Sequence, residues 1–213
     1  MWSALKSPLL IGTDLRDLKA STLTILNNPA VIAINQDPLS RSAVQVRRDL
    51  DVKKDQYGMG EAQVWSGHLA GGDQVVVFLN AADEDLNMEA SLTEIFYHDG
   101  PNDHAPQVRE SWDIYDLWSD RMEDGVAQKI LDSSSPSKAN MVITDAGWYN
   151  STAVPYKQGL KDLDQRLYGK RIGTIGPGGL LKSKVKRHSA EMFRLISKNN
   201  NSLKRYNHIK DEL

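Results

Sequence analysis

The sequence predicts a mainly β protein, in which an antiparallel β-sandwich follows the last strand–helix unit of a truncated (β/α)8 barrel. Residues 9–11 form an apolar run without alternation, which is typical of a strand covered on both faces, and a helical pattern follows it. Later runs of β-branched and aromatic residues, such as residues 75–79, are separated by polar turns. One strand–helix unit cannot bury its own apolar surface, so we expect the rest of a barrel to have preceded it.

The predicted barrel unit covers residues 1–38. Ser7-Pro8 ends any helix that comes before it, because proline lacks an N–H and favours an extended predecessor. Residues 9–11 then form the strand, and Asp17 is the predicted N-cap of a helix that residues 27–29 stop. The apolar face of this helix is formed by Leu18, Leu23, Ile25 and Leu26.

A highly charged stretch, residues 39–57, is the predicted linker to a sandwich over residues 58–198, which a polar tail of residues 199–213 follows. Residues 88–96 fit a helix or a strand, and we favour a strand because the neighbouring segments are strands. The other predicted strands are residues 75–79, the aromatic-rich residues 111–118, a strand containing Val126, Ile130 and Leu131, and two closing strands within residues 180–196; residues 140–144 are not assigned.

Composition describes an ordinary globular chain and excludes several classes of site. The 213 residues are 40% hydrophobic and 25% charged, with a formal net charge of −2, which gives no nucleic-acid footprint. No apolar run approaches the roughly 20 residues that span a bilayer. The absence of cysteine removes disulfides, structural thiolate zinc and thiol nucleophiles together. No cofactor is expected.

Two motifs resemble one enzyme family. The stretches MWSALKSPLLIGTDLR (residues 1–16) and NPAVIAINQDPL (residues 28–39) are similar to the last strand and helix of the catalytic barrel of the α-galactosidases of the melibiase family, glycoside hydrolase family twenty-seven. Residues 63–80 and 114–119, and more weakly 168–174, resemble strands of that family's C-terminal sandwich. We call residues 1–16 and 28–39 the barrel-exit motif. This motif is specific, whereas many sandwiches share strand patterns like the others.

The resemblance implies a fragment of a retaining glycosidase that removes terminal α-linked galactose. In that family two aspartates on earlier barrel strands act as nucleophile and as acid/base, in motifs like Tyr-Asp-Asn and like Trp-Arg followed by three residues and an Asp. Neither motif occurs in this sequence, so no catalytic residue is assigned and the chain alone is expected to be inactive. The alternatives are a non-catalytic carbohydrate-binding or scaffold sandwich and a fragment of an α-N-acetylgalactosaminidase.

Each acidic candidate has a functional and a structural interpretation. Asp14 follows the predicted barrel strand and is a candidate for the edge of the substrate site, although an Asp before a helix is usually a cap. Two pairs, Asp113 with Asp116 and Asp120 with Glu123, could act as acid and base, yet solvated surface charge is the favoured interpretation.

Four further patterns favour structural interpretations. A possible metal-ligand set is better explained as a hairpin turn, and a glycine-rich stretch, residues 173–179, as a turn between strands. A basic stripe is better explained as a charged sheet edge, and four tryptophans favour core packing over sugar stacking. These residues are His98, Asp99, Asp103 and His104 for the turn, Lys182, Lys184, Lys186, Arg187 and His188 for the stripe, and the tryptophans at 65, 112, 118 and 148.

The sequence also carries signals of cellular location. Asn150 and Asn200 begin N-x-Ser/Thr patterns and are candidate N-glycosylation sites. The last four residues, Lys210, Asp211, Glu212 and Leu213, match the endoplasmic-reticulum retrieval signal, so we expect a retrieval receptor as a partner and residence in the lumen or secretory pathway. No signal peptide follows Met1, and the two observations agree if Met1 is internal to a longer precursor.

The apolar residues of the barrel unit predict association. Leu9, Leu10 and Ile11, with Leu23, Val31 and Ile32, would normally be covered by barrel neighbours. An exposed patch of this size drives association, so we expect the isolated chain to self-associate, and we expect deletion of residues 1–37 to improve its behaviour. The substrate partner expected for the complete enzyme is an α-galactoside, with neither a nucleic acid nor a membrane span.

Overall fold

The computed structural model describes residues 1–97 and 105–199, and within them eight strands form two antiparallel sheets. The strands are β1 (Val44–Asp49), β2 (Ala62–His68), β3 (Gln74–Asn80), β4 (Leu86–Ser91), β5 (Trp112–Asp116), β6 (Lys170–Ile175), β7 (Leu180–Val185) and β8 (Ser189–Ser197). The larger sheet has the order β1-β2-β3-β8-β5-β6, and the smaller sheet pairs β4 with β7. The helices are α1 (Ala20–Leu26), α2 (Pro29–Asn35), α3 (Leu92–Ile95), α4 (Asp124–Leu131), α5 (Pro136–Asp145) and α6 (Tyr156–Lys161).

The main core lies between the two sheets. Val76 and Phe78 of β3 pack there with Phe193 of β8, whose ring meets that of Phe78 edge to face at 5.8 Å. Met88 and Leu181 close the core from the smaller sheet. The predicted mainly antiparallel β-sandwich is confirmed.

The opposite face of the larger sheet is also buried. Val75 and Val77 alternate with the core residues of β3 and therefore point to the other side, where they contact a second apolar cluster. Ala4, Ala30 and Ile34 of the N-terminal region belong to that cluster. A strand covered on both faces is apolar throughout, which explains the continuous run in β3.

The segment expected to be a barrel strand, residues 9–11, differs from the prediction. It lies outside every strand of the described chain, and Leu10 is 82% exposed. A strand forms by pairing with neighbours, and no strand of the described chain pairs with this segment. The helix after it is confirmed as α1, but its N-cap is Lys19 rather than Asp17.

Residues 27–29, expected to stop the helix, also begin the next one. Asn28 is the N-cap of α2, where its side chain accepts a hydrogen bond from the N–H of Val31, and Pro29 occupies the first turn. The Asn28 amide also donates to the carbonyl of Leu117 at 2.8 Å. Together these bonds fix α2 against the end of β5.

The stretch expected to be an exposed linker, residues 39–57, contains β1. This edge strand pairs with β2, with Gln45 opposite Trp65. The arginines of β1 give it the composition of an exposed linker. In the fold, Arg47 forms an ion pair with Glu94, and Arg48 forms one with Glu61. Charged side chains are typical of edge strands, so charge alone did not separate a strand from a linker here.

Two other segments correct the strand predictions. Val126, Ile130 and Leu131 lie in α4, because the four-residue spacing of the first two is a helical period. The favoured strand over residues 88–96 is half correct: β4 ends at Ser91, and α3 follows it with a capping box between Ser91 and Glu94. The unassigned residues 140–144 are part of α5. The strand over residues 111–118 and the two closing strands are confirmed as β5, β7 and β8.

Asn80 connects the two sheets and generates a stability prediction. It is fully buried, and its amide donates to the carbonyls of Glu84, Val185 and Lys186 at 2.8–3.1 Å. Asn80→Ala leaves these buried acceptors without their donor and should lower the free energy of unfolding by roughly 2 kcal/mol in urea titrations. Asn87→Ala, on the exposed face of β4, is the matched control and should stay within about 0.5 kcal/mol of the parent. Equal losses in both variants would contradict this role.

Candidate functional site

A buried ion pair lies between the N-terminal region and the larger sheet. Arg194 of β8 is 1% exposed; its Nε donates to Asp73 Oδ2 at 2.7 Å, and its Nη2 lies 2.7 Å from the same oxygen. The guanidinium carbon lies 4.2 Å from the centre of the Tyr168 ring, within range of a cation–π contact. Asp73 directly precedes β3, so this pair fixes the loop between β2 and β3 against β8.

Asp37 joins the same cluster from the barrel-exit motif. Both its carboxylate oxygens accept from the N–H of Ala70, at 3.0 and 3.2 Å, and Oδ1 also accepts from the N–H of Leu39. Burial raises the pKa of Asp37 although Arg194 and these hydrogen bonds oppose the shift, and burial lowers the pKa of the neighbouring Lys6. We call Lys6, Asp37, Asp73 and Arg194 the charge cluster. Asp37 and Asp73 are buried too deeply to meet a substrate, so the cluster is a structural joint.

Asp14 is a helix cap, as the structural interpretation predicts. It precedes the 3-10 helix Leu15–Asp17, and its carboxylate accepts from the backbone N–H and the guanidinium of Arg16. The bond from the Arg16 side chain holds the pKa of Asp14 below its usual range. A role at the edge of a substrate site stays a prediction.

An open apolar groove of about 660 Å³ lies between residues 8–11 and the helices α1 and α2. Trp2 is 64% exposed at its rim and was not among the predicted residues, although it lies close in sequence to the apolar run of residues 9–11. The exposed apolar residues at this groove are Trp2, Leu9, Leu10, Ile11, Ile25 and Leu26. We call this surface the apolar groove.

The two candidate carboxylate pairs are surface charges. Asp113 accepts from Arg171 Nη2 at 2.8 Å and from the Thr174 hydroxyl at 2.7 Å, and the Arg171 bond lowers its pKa. Asp116 caps the turn after β5 by accepting from the N–H of Trp118. Residues three apart on a strand point to opposite faces, so these two carboxylates do not face each other. Asp120 and Glu123 are both exposed.

The glycine stretch and the basic stripe have structural roles. Residues 176–179, with the sequence Gly-Pro-Gly-Gly, form the turn that carries the chain from β6 in one sheet to β7 in the other. Ion pairs then balance the basic residues of β7 and the turn after it. These pairs are Lys182 with Glu89 at 3.0 Å, Lys184 with Asp85 at 3.2 Å, and Arg187 with Asp83 at 3.4 Å.

The four predicted tryptophans contribute to packing. Trp112 is buried in the main core, and its indole N–H donates to the carbonyl of Gln107 at 2.9 Å. Trp65 and Trp118 pack against the second cluster, and Trp148 is half-buried. Core packing is confirmed for Trp112, the residue of the four with the least exposed surface.

Several predicted residues lie outside the described part of the chain. They are His98, Asp99, Asp103 and His104, Asn200, and Lys210, Asp211, Glu212 and Leu213. Asn150 is described: it is half-buried in a turn, where its side chain accepts from the N–H of Thr152. Across residues 1–97 and 105–199, no three His, Asp or Glu side chains are grouped to hold a metal ion. No helix in these ranges is long and apolar enough to cross a membrane.

Comparisons with known proteins decide the family. A model of the α-galactosidase C-terminal β-sandwich domain matches residues 59–143. The chain carries the C-terminal region of the α-galactosidase family. The α-galactosidases of Saccharomyces mikatae and Zygotorulaspora mrakii are 42% and 44% identical over 195 residues, which cover 92% of this chain and 40% of each relative.

The solved structures agree with this assignment. The α-galactosidase of Saccharomyces cerevisiae with raffinose is 40% identical, with a TM-score of 0.82 over 92% of this chain and 42% of that one. This α-galactosidase region therefore spans about two fifths of the length of the relatives it matches.

The charge cluster generates a first prediction for this α-galactosidase region. Arg194→Met leaves the buried carboxylate of Asp73 without its guanidinium and should cost about 3–5 kcal/mol of unfolding free energy, measured by urea denaturation. The control is Arg171→Met, which removes the exposed ion pair to Asp113 and should cost no more than about 1 kcal/mol. Similar small losses in both variants would show that the buried pair is not a structural joint.

Asp37 generates a pH prediction. Because burial raises its pKa in the folded state, the folded chain holds more protons than the unfolded chain between about pH 4 and that raised value. The stability of the parent relative to Asp37→Asn should therefore fall as pH rises through this window, in urea titrations at successive pH values. Asp113→Asn is the control with the opposite sign, since the pKa of Asp113 is lowered in the folded state. The stability of the parent relative to Asp113→Asn should decrease as pH falls below about 4. A flat difference for Asp37→Asn would contradict the assignment.

Proposed function

We propose that this chain belongs to an enzyme that removes terminal α-linked galactose with retention of configuration. Its role in that enzyme is structural. The observation that carries the proposal is the match to α-galactosidases over 92% of the chain. The relative with raffinose supports an α-galactoside as the substrate class.

The chain's own residues support this structural part. A retaining glycosidase needs two carboxyl groups about 5–5.5 Å apart across the scissile bond. Among the candidate carboxylates, Asp14 is a helix cap, and the pairs Asp113 with Asp116 and Asp120 with Glu123 are surface charges. The two aspartates of the charge cluster are deeply buried. Asp37 instead holds the barrel-exit motif to the loop before β3, which sets where a preceding barrel would sit against the sandwich.

The test is hydrolysis of a chromogenic α-galactoside. The purified chain should give no turnover, whereas the same chain fused behind the barrel region of the Saccharomyces mikatae enzyme should be active. The matched control is that enzyme with its own C-terminal region. Turnover by the chain alone would mean that its carboxylates form a site, and a folded but inactive fusion would mean that this sandwich does not serve an α-galactosidase barrel.

We also propose that the protein resides in the endoplasmic-reticulum lumen or secretory pathway, with N-glycans at Asn150 and Asn200. The support is the sequence Lys-Asp-Glu-Leu at residues 210–213 and the two acceptor patterns. Appending residues 199–213 to a secreted reporter should retain it in cells, and the same tail with Leu213→Ala should release it. Equal secretion of both reporters would contradict retrieval.

The apolar groove supports self-association of the isolated chain, and it gives a sharper variant than truncation. The expected benefit of deleting residues 1–37 stays a prediction, but that deletion also removes Asp37, Ala4 and Ile34 and uncovers the second cluster, so it does not test the groove alone. Leu10→Lys changes only the exposed surface and should shift the chain toward a monomer in concentration-dependent light scattering. Leu50→Lys, exposed outside the groove, should leave the association unchanged. A parent chain that is already monomeric would contradict the proposal.

A further inference from the structure

A second, polar cleft opens at the other side of the larger sheet. It has a volume of about 630 Å³ and lies where β2 and β3 meet their connecting loop, beside edge strand β1 and the end of α3. It shares no lining residue with the apolar groove. The residues that matter here are Arg41, Ser66, His68, Gln74 and Tyr97. We call it the polar cleft.

The floor of the polar cleft is a buried polar cluster at the end of the main core. Ala62 and Val64 of β2 face that core, and Ser66 continues the same row. The Ser66 hydroxyl donates to the carbonyl of Ile95 at 2.7 Å and accepts from Gln74 Nε2 at 2.7 Å. The apolar interior therefore ends in hydrogen-bonding groups where the cleft begins.

Gln74 carries an acceptor that the described residues do not satisfy. Its side chain is 2% exposed, and its Nε2 bonds to Ser66 and to the carbonyl of Ile95, while Oε1 has no hydrogen-bond partner in the described chain. A buried carbonyl oxygen without a donor costs free energy, so natural proteins supply one from a water or a ligand. This oxygen calls for a donor, an O–H or N–H, rather than for an anion.

The rim of the polar cleft offers an aromatic ring and a cation. Tyr97 is 62% exposed immediately after α3, and His68 is exposed at the end of β2. Arg41 makes no hydrogen bond or ion pair within the described residues. A Cβ at Gly67 would lie 2.8 Å from Ala43 Cα, so glycine there allows the segment carrying Arg41 to pass close to β2.

We propose that the polar cleft of the sandwich binds a saccharide. A sugar hydroxyl donates to Gln74 Oε1, the Arg41 guanidinium donates to neighbouring hydroxyl oxygens, and the Tyr97 ring packs on the C–H face of the sugar. The volume lies within the range of small-molecule sites. Among the residues of the described chain that line the cleft, none is an Asp or Glu, so the proposal is for binding alone.

The test is saturation-transfer NMR on the whole chain with galactose and with raffinose. The parent should show transfer to the sugar protons and a saturable Kd in the millimolar range. Tyr97→Ala and Arg41→Ala, both at the exposed rim, should each weaken binding at least fivefold. Tyr57→Ala is the matched control, since this tyrosine is 79% exposed outside the cleft and should leave the Kd unchanged.

Each other outcome overturns the proposal. Absence of transfer to either sugar would mean that water alone satisfies Gln74. Parent-like binding by both rim variants, or loss of binding in Leu10→Lys alone, would place the sugar elsewhere. Displacement of the sugar by sulfate at equal concentration would show an anion site at Arg41. Because the readout is binding without turnover, it is independent of the barrel fusion that tests the proposed function.

Discussion

The buried pair of Arg194 and Asp73 is the interaction on which the rest of the structure depends. A charge removed from water is costly unless its partner is in place, so β8, the loop before β3 and the barrel-exit segment must assemble together. Asp37 binds the N–H of Ala70 at the start of that loop, while Asp73 ends it. One short connection therefore holds both the N-terminal region and the sheet in register.

This dependence changes how the N-terminal region is understood. Its residues resemble the end of a barrel, yet Ala4, Ala30 and Ile34 complete a core on the outer face of the sandwich sheet. The hydrogen bonds from the Asn28 amide to Leu117 and from the N–H of Ala43 to Ala4 reinforce that contact. The contact between the N-terminal region and the sandwich sheet is thus a packed interface, which fixes the orientation of one against the other.

The sequence was a good guide where burial alone determined the pattern. β3 follows from its apolar run, the closing strands β7 and β8 from apolar residues mixed with polar positions, and α1 from its helical period. The sequence was a poor guide where strand formation depended on a pairing partner or where a strand was highly charged. Residues 9–11 lack a neighbouring strand, and the arginines of β1 gave an edge strand the composition of a linker. The polar cleft was also missed, because Arg41, Gln74 and Tyr97 come from separate segments that only the fold brings together.

The two exposed surfaces differ in what a partner must offer. The apolar groove exposes Leu10, Ile11 and Trp2, so covering it is favoured by any matching apolar surface, with little demand on geometry. The polar cleft has a buried acceptor at Gln74, which a partner satisfies only with a donor in one position. Leaving a buried polar group unpaired costs a wrong ligand more binding free energy than pairing it gains for the right one. The cleft therefore determines which ligand binds, whereas the groove contributes mainly to the strength of association. The same sandwich can therefore associate with an apolar partner surface through the groove and bind a small polar ligand in the cleft.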